Sequence, residues 1–215
     1  MADQKVSNER KKELEQLDPF QENLIKAMAF LKTHQKTFML AAGGLLAVIL
    51  IFSAVMTSIK RSENTAAVLV SSAIAEYERE ADPVKGYQSV QGDFDKIFKE
   101  YGNTSAGERA RISFAKICYN ASKYDQSLMH YQHALDLFDK DPLMKNFLLT
   151  ALGQVSIAKK DFKGAKEYLQ KVETSDSDLL KDEAAYTLAL LHDAAQEKGE
   201  SQKKYEQIAS DFQNS

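Results

Sequence analysis

Residues Thr37 to Ile59 read TFMLAAGGLLAVILIFSAVMTSI, 23 positions without a charge. A helix rises about 1.5 Å per residue, so this stretch would reach about 34 Å, against a bilayer core about 30 Å thick. Lys32, His34 and Lys36 precede it and Lys60 and Arg61 follow, placing polar groups where headgroups would lie. A buried helix of a soluble protein seldom stays apolar for so long. A cleavable signal peptide is the sharper alternative. Against it, 36 residues precede the run, and no small-x-small triplet directly follows; Ala73-Ile74-Ala75 has that form but lies too far downstream. The stretch reads as a retained anchor at 37–59. Its direction is not set by the near flanks, where Lys26, Lys32 and Lys36 balance Lys60, Arg61 and Arg79.

Residues 1–17 ahead of it are polar and charge-mixed, with little to bury, and are expected to be disordered. Residues 18–36 begin with Asp18-Pro19-Phe20-Gln21, a helix-start pattern of cap, proline at the first position and capping-box glutamine. Phe20, Leu24, Ala27, Met28 and Leu31 follow at helical spacing. This juxtamembrane segment reads either as an amphipathic helix lying on the bilayer or as an N-terminal extension of the span. Within the span, Gly43 and Ala47 form a small-xxx-small pair.

The remainder, 62–215, belongs to an all-α class. The whole chain has nine Gly and three Pro, too few to punctuate a many-stranded sandwich or barrel. Glu63 to Ala81 reads as a helix that stops at Asp82-Pro83; a second carries Phe94, Ile97, Phe98 and Tyr101 and stops at Gly102. Further on the sequence repeats. The stretch FAKICYNASKYDQSLMHYQHAL, from Phe114, aligns with LGQVSIAKKDFKGAKEYLQKVE, from Leu152, at an offset of 38, and a third copy follows at 36. Each copy has a large-small pair on a first helix: Phe114-Ala115, Leu152-Gly153, Leu188-Ala189. A small residue there lets two helices approach closely, and Tyr131, Leu169 or Tyr205 on the second helix fills the space beside it.

This pattern resembles the tetratricopeptide repeat, a helix-turn-helix unit of about 34 residues. The resemblance covers 108–215 as three copies, with the 63–101 hairpin as a fourth. It departs where the repeat's large aromatic would stand (Arg111, Leu149, Ala185) and at its tyrosine position (Cys118, Ser156, His192). It implies an α-solenoid of about four hairpins after a single span, with a concave wall formed by the first helices. Groove-facing positions would be Arg109, Ile112, Lys116 and Tyr119, then Phe147, Thr150, Gln154 and Ile157, then Glu183, Tyr186, Leu190 and Asp193.

Over nearly its whole length the chain resembles the bacterial YfgM family. The likeness lies in FLKTHQKTFMLAAGGLLAVILIF, in SENTAAVLVSSAIAEYE and in KYDQSLMHYQHAL. Members are described as ancillary subunits of the Sec translocon, with a domain shared with an envelope cell-division coordinator. The resemblance implies a single-pass protein of the bacterial inner membrane, with a cytoplasmic N-terminus and periplasmic repeats. Its expected partners are translocon subunits, periplasmic chaperones or client chains, besides membrane lipid. The alternative role is an envelope adaptor for cell division or outer-membrane assembly.

Chemistry is sparse. A net charge of -3 lacks the basic surplus of a nucleic-acid binder. No phosphate loop, nucleophile elbow or metalloprotease pair occurs, so an enzyme is not expected, and neither is a cofactor. His130 and His133 lie at i and i+3 with no third metal ligand to name, Cys118 reads as a buried structural thiol, and Asp176, Asp178, Asp182 and Glu183 read as a solvated acidic turn.

Overall fold

A computed structural model describes residues 19–211; the expected disordered leader, 1–17, and the Asp18 cap lie outside them. Among the described residues there are nine helices and no strand. The chain divides into two compact units, 1–58 and 59–215.

In the first unit, α1 (Pro19–Thr33) precedes the start of α2 (Gln35–Arg79). One residue, His34, separates them and is bonded to both: His34 N–H donates to the Phe30 carbonyl and the His34 carbonyl accepts from Phe38 N–H, both at 3.0 Å. The juxtamembrane segment is thus a separate helix that ends one residue short of α2. Helix α2 is long and apolar enough to cross a membrane, and none of its most apolar window is buried within the protein. No break separates residues 59 and 62: the helix runs on to Arg79 and supplies the first helix of the second unit. Nothing between Lys60 and Ala81 is a proline or glycine, so no residue there favours a stop.

The second unit continues with α3 (Pro83–Tyr101), α4 (Ser105–Asn120), α5 (Tyr124–Leu137), α6 (Pro142–Ala158), α7 (Phe162–Glu173), α8 (Lys181–Ala194) and α9 (Lys198–Asp211). Two prolines open helices behind an aspartate cap. Asp82 accepts from Val84 and Lys85 N–H ahead of α3, and Asp141 accepts from Leu143 and Met144 N–H ahead of α6.

Three cores are strung along the unit, each sharing a helix with the next. The first joins Ala73 of α2 to Val90, Phe94 and Ile97 of α3 and to Phe114 and Cys118 of α4. In the second, Ala115 of α4 meets Tyr131 and Ala134 of α5 and Leu148, Leu152 and Val155 of α6. The third takes Leu149 of α6, Leu169 and Val172 of α7, and Ala184 and Leu188 of α8. Helices α4 and α6 therefore bury two faces, one on each side, and hold consecutive pairs together.

The pairs α4–α5, α6–α7 and α8–α9 turn in the same way. Ser122, Lys160 and Gln196 take positive φ of 58°, 64° and 61°. In each turn the next residue's N–H reaches back five positions: Lys123 to the Cys118 carbonyl at 2.8 Å, Asp161 to Ser156 at 2.8 Å, Glu197 to His192 at 2.9 Å. This is the six-to-one bond of a Schellman close, built here without glycine. The three turns sit 38 and 36 residues apart, the offsets at which the sequence repeats.

Two long-range polar contacts hold the joints between pairs. The Glu63 carboxylate on α2 accepts from Ser105 and Ala106 N–H, both at 2.8 Å, capping α4 from 42 and 43 residues away. Asn146 on α6 is fully buried, and its Nδ2 donates to the Ser177 and Leu179 carbonyls at 3.0 and 2.9 Å. It thereby pins the α7–α8 connection, where Leu180 adopts a φ of 62°.

Candidate functional site

The first helices of successive pairs bring residues from α4, α6 and α8 to one recess of about 310 Å³. Lys116, Tyr119 and Asn120 come from α4. Phe147, Thr150 and Gln154 come from α6 at helical spacing, and Leu180 and Glu183 stand at the start of α8. Six of the twelve groove positions read from the sequence are thus together: Lys116, Tyr119, Phe147, Thr150, Gln154 and Glu183.

The recess has apolar walls and a few polar groups. Phe147 is 42% exposed, and Tyr119 turns its ring towards Tyr124 at 5.8 Å between centroids. Gln154 Nε2 donates to Glu183 Oε1 at 3.0 Å, linking α6 to α8. Thr150 is only 4% exposed, and among the described residues its Oγ1 has no hydrogen-bond partner. A buried hydroxyl without a partner is costly, and this one lies beneath the surface of the recess. Lys116 is exposed and makes no ion pair among the described residues.

The other six positions fall elsewhere. Arg109 stands 3.7 Å from Glu63 on α2, as part of the α4 cap. Ile112 packs, partly buried, against the second core and Ile157 against the third. Tyr186 and Leu190 are exposed on α8, with Tyr186 6.5 Å from the Tyr205 ring. Asp193 accepts from Ser201 Oγ at 2.5 Å and from Tyr205 O–H at 3.0 Å, which ties α8 to α9. Burial of Ile112 and Ile157 follows from the double-sided packing of α4 and α6, which helical spacing alone does not reveal. Leu180 and Asn120 were not expected in the recess; Leu180 arrives through the Asn146-pinned loop, which leaves no sequence signal.

The groups singled out for chemistry are structural in their settings. Cys118 is fully buried, and burial pushes its thiol up to about 12, far from thiolate at neutral pH. His130 lies between the Phe98 and Phe114 rings, at 5.1 and 5.0 Å, while His133 is exposed. Among the described residues no cluster of three metal-ligating side chains forms. A second hollow, of about 830 Å³, is lined by Asp136, Asp139, Lys140, Lys145, Lys171 and Asp176 beside Asn146. Lys145 and Asp139 are paired at 2.6 Å, so part of its charge is already matched. No protein-family model matches the sequence, and no curated protein matches it.

Proposed function

We propose that the chain is a single-pass membrane protein whose helix pairs form a tetratricopeptide-type stack that docks segments of other proteins without catalysing a reaction. The observation that carries this reading is the recess built jointly by α4, α6 and α8, where Phe147 and Tyr119 offer apolar contact and Lys116 and Gln154 offer polar contact. Such a mixed wall suits an extended or helical peptide segment. The charge-free stretch of α2 supports an anchor in the membrane. In the setting implied by the resemblance to the YfgM family, the chain is an ancillary subunit of the bacterial Sec translocon. Its repeats then face the periplasm and hold chaperones or emerging client chains near the exit.

A photoreactive phenylalanine analogue at Phe147, compared with one at Phe162 on α7 outside the recess, tests the docking. Crosslinks to translocon subunits, periplasmic chaperones or secretory chains from 147, at several times the yield from 162, are expected. Equal yields from both positions would reject the groove. Adducts with division or outer-membrane assembly proteins would instead assign the envelope-adaptor role. A C-terminal alkaline phosphatase fusion should be active; an inactive fusion would place the repeats in the cytoplasm.

A further inference from the structure

We infer that the surface where Tyr186 and Asp193 of α8 meet Tyr205 of α9 seats a lysine or arginine side chain of a docked protein segment. Glu183, Tyr186, Leu190 and Asp193 follow one another at steps of three, four and three, so they share one face of α8. Tyr186 is 52% and Leu190 44% exposed, and both carboxylates are open to solvent.

Asp193 is a carboxylate held by neutral donors. Ser201 Oγ, on a side chain that is itself buried, donates to Oδ1 at 2.5 Å, and Tyr205 O–H donates to Oδ2 at 3.0 Å. Among the described residues no cationic side chain pairs with it. Two hydroxyls thus fix the group in place and leave its charge unmatched. It also stands in the last turn of α8, where the aligned peptide dipoles add negative potential instead of offsetting it. Glu183, at the other end of the stripe, likewise bonds to a neutral partner, Gln154.

The tyrosines complete a site for a cation. Their rings stand edge to face, 6.5 Å apart between centroids and 62° between planes. An aromatic ring is negative over its face and attracts a cation within about 6 Å. A cation bonded to Asp193 Oδ2 lies beside the Tyr205 ring, whose own hydroxyl is bonded to that oxygen. Leu190, between Tyr186 and Asp193 in the stripe, offers apolar contact to the aliphatic stem that lysine and arginine carry behind the charge.

The charge and the apolar contact together select the occupant. A metal ion would need further ligands, and no cluster of three metal-ligating side chains forms among the described residues. A basic side chain within a protein segment supplies both the cation and the stem. The inference deepens the docking reading above: it names the chemistry of what docks, at a subsite whose aromatic pair and Asp193 lie outside the recess.

Fluorescence anisotropy with the full-length chain in dodecyl maltoside tests it. The probes are two capped, fluorescein-labelled nonapeptides, one centred on Leu-Lys-Leu and the other on Leu-Gln-Leu. The lysine peptide is expected to bind several-fold more tightly, and Asp193→Asn and Tyr186→Leu should each abolish that preference. Glu167→Gln, an equal change of charge on the exposed side of α7, should retain it. Circular dichroism monitors folding; Tyr186 is exposed, so Tyr186→Leu decides the outcome should Asp193→Asn loosen α9. Equal affinity for the two peptides, no binding of either, or the same loss in Glu167→Gln overturns the subsite. So does binding of phosphatidylcholine vesicles with no lysine preference, which would make a lipid headgroup the occupant. Equal crosslinking from positions 147 and 162 with the lysine preference intact rejects the recess alone, and the reverse result rejects the subsite alone.

Discussion

Gly153 on α6 lies against Leu169 on α7 so closely that a Cβ built on Gly153 would stand 3.0 Å from Leu169 Cγ and Cδ2. The contact is the physical content of the repeated large-small pair. Its counterparts Ala115 and Ala189 carry a Cβ and are fully buried. Gly153→Ala offsets a better helix propensity, about 1 kcal/mol, against the displacement of a flexible leucine tip, and should leave stability nearly unchanged. Gly153→Val forces α6 and α7 apart and should cost about 1–3 kcal/mol, read as a lower thermal midpoint by circular dichroism in detergent. Equal behaviour of the two variants would refute the close approach.

Lys160 holds a φ of 64° in the α6–α7 turn, a conformation that disfavours a residue bearing a Cβ. Lys160→Gly should therefore raise stability by about 0.5–1 kcal/mol, the relief of backbone strain exceeding the added freedom of the unfolded chain. The same substitution at the neighbouring helical Lys159, with a φ of −76°, should lower it. Thermal midpoints moving in opposite directions for the two variants are the expected result.

His130 sits against two aromatic rings, and its Nδ1 finds no partner among the described residues. Burial first, then the nearby Arg111 and His133 charges, brings its pKa down to about 4, whereas an unfolded histidine titrates near 6.5. Between those values the unfolded chain binds the proton and the folded one does not. The contribution of this residue is thus constant above about pH 7 and falls as the pH drops from about 6.5 to 4, by on the order of 2 kcal/mol. His130→Phe should flatten that part of the stability profile; an unchanged acid slope in urea titrations at pH 7 and 4.5 would exclude His130 as its source.

The periodicity of apolar residues was enough to read helices across 63–101 and 108–211, because side chains three and four apart must share a face whatever they meet. The offsets of 38 and 36 likewise foretold the spacing of Ser122, Lys160 and Gln196, since each repeat closes with the same backbone bonds. Which residues line the recess was legible only by half. Helical spacing placed Phe147, Thr150 and Gln154 on one side of α6 together. It could not show that Ile157, one turn further, is drawn into the core shared with α7, or that Arg109 is engaged by Glu63.

The amino-acid sequence by itself determined the all-helical class, a charge-free helix long enough for a bilayer, and the large-small pairs that bring helices together. These follow from composition and from periods shorter than two turns. Only the tertiary structure decided that Glu63 caps α4 and that Asn146 pins the loop delivering Leu180 to the recess. Both depend on partners some 30 to 40 residues distant. Local pattern therefore cannot rank them before the chain has folded.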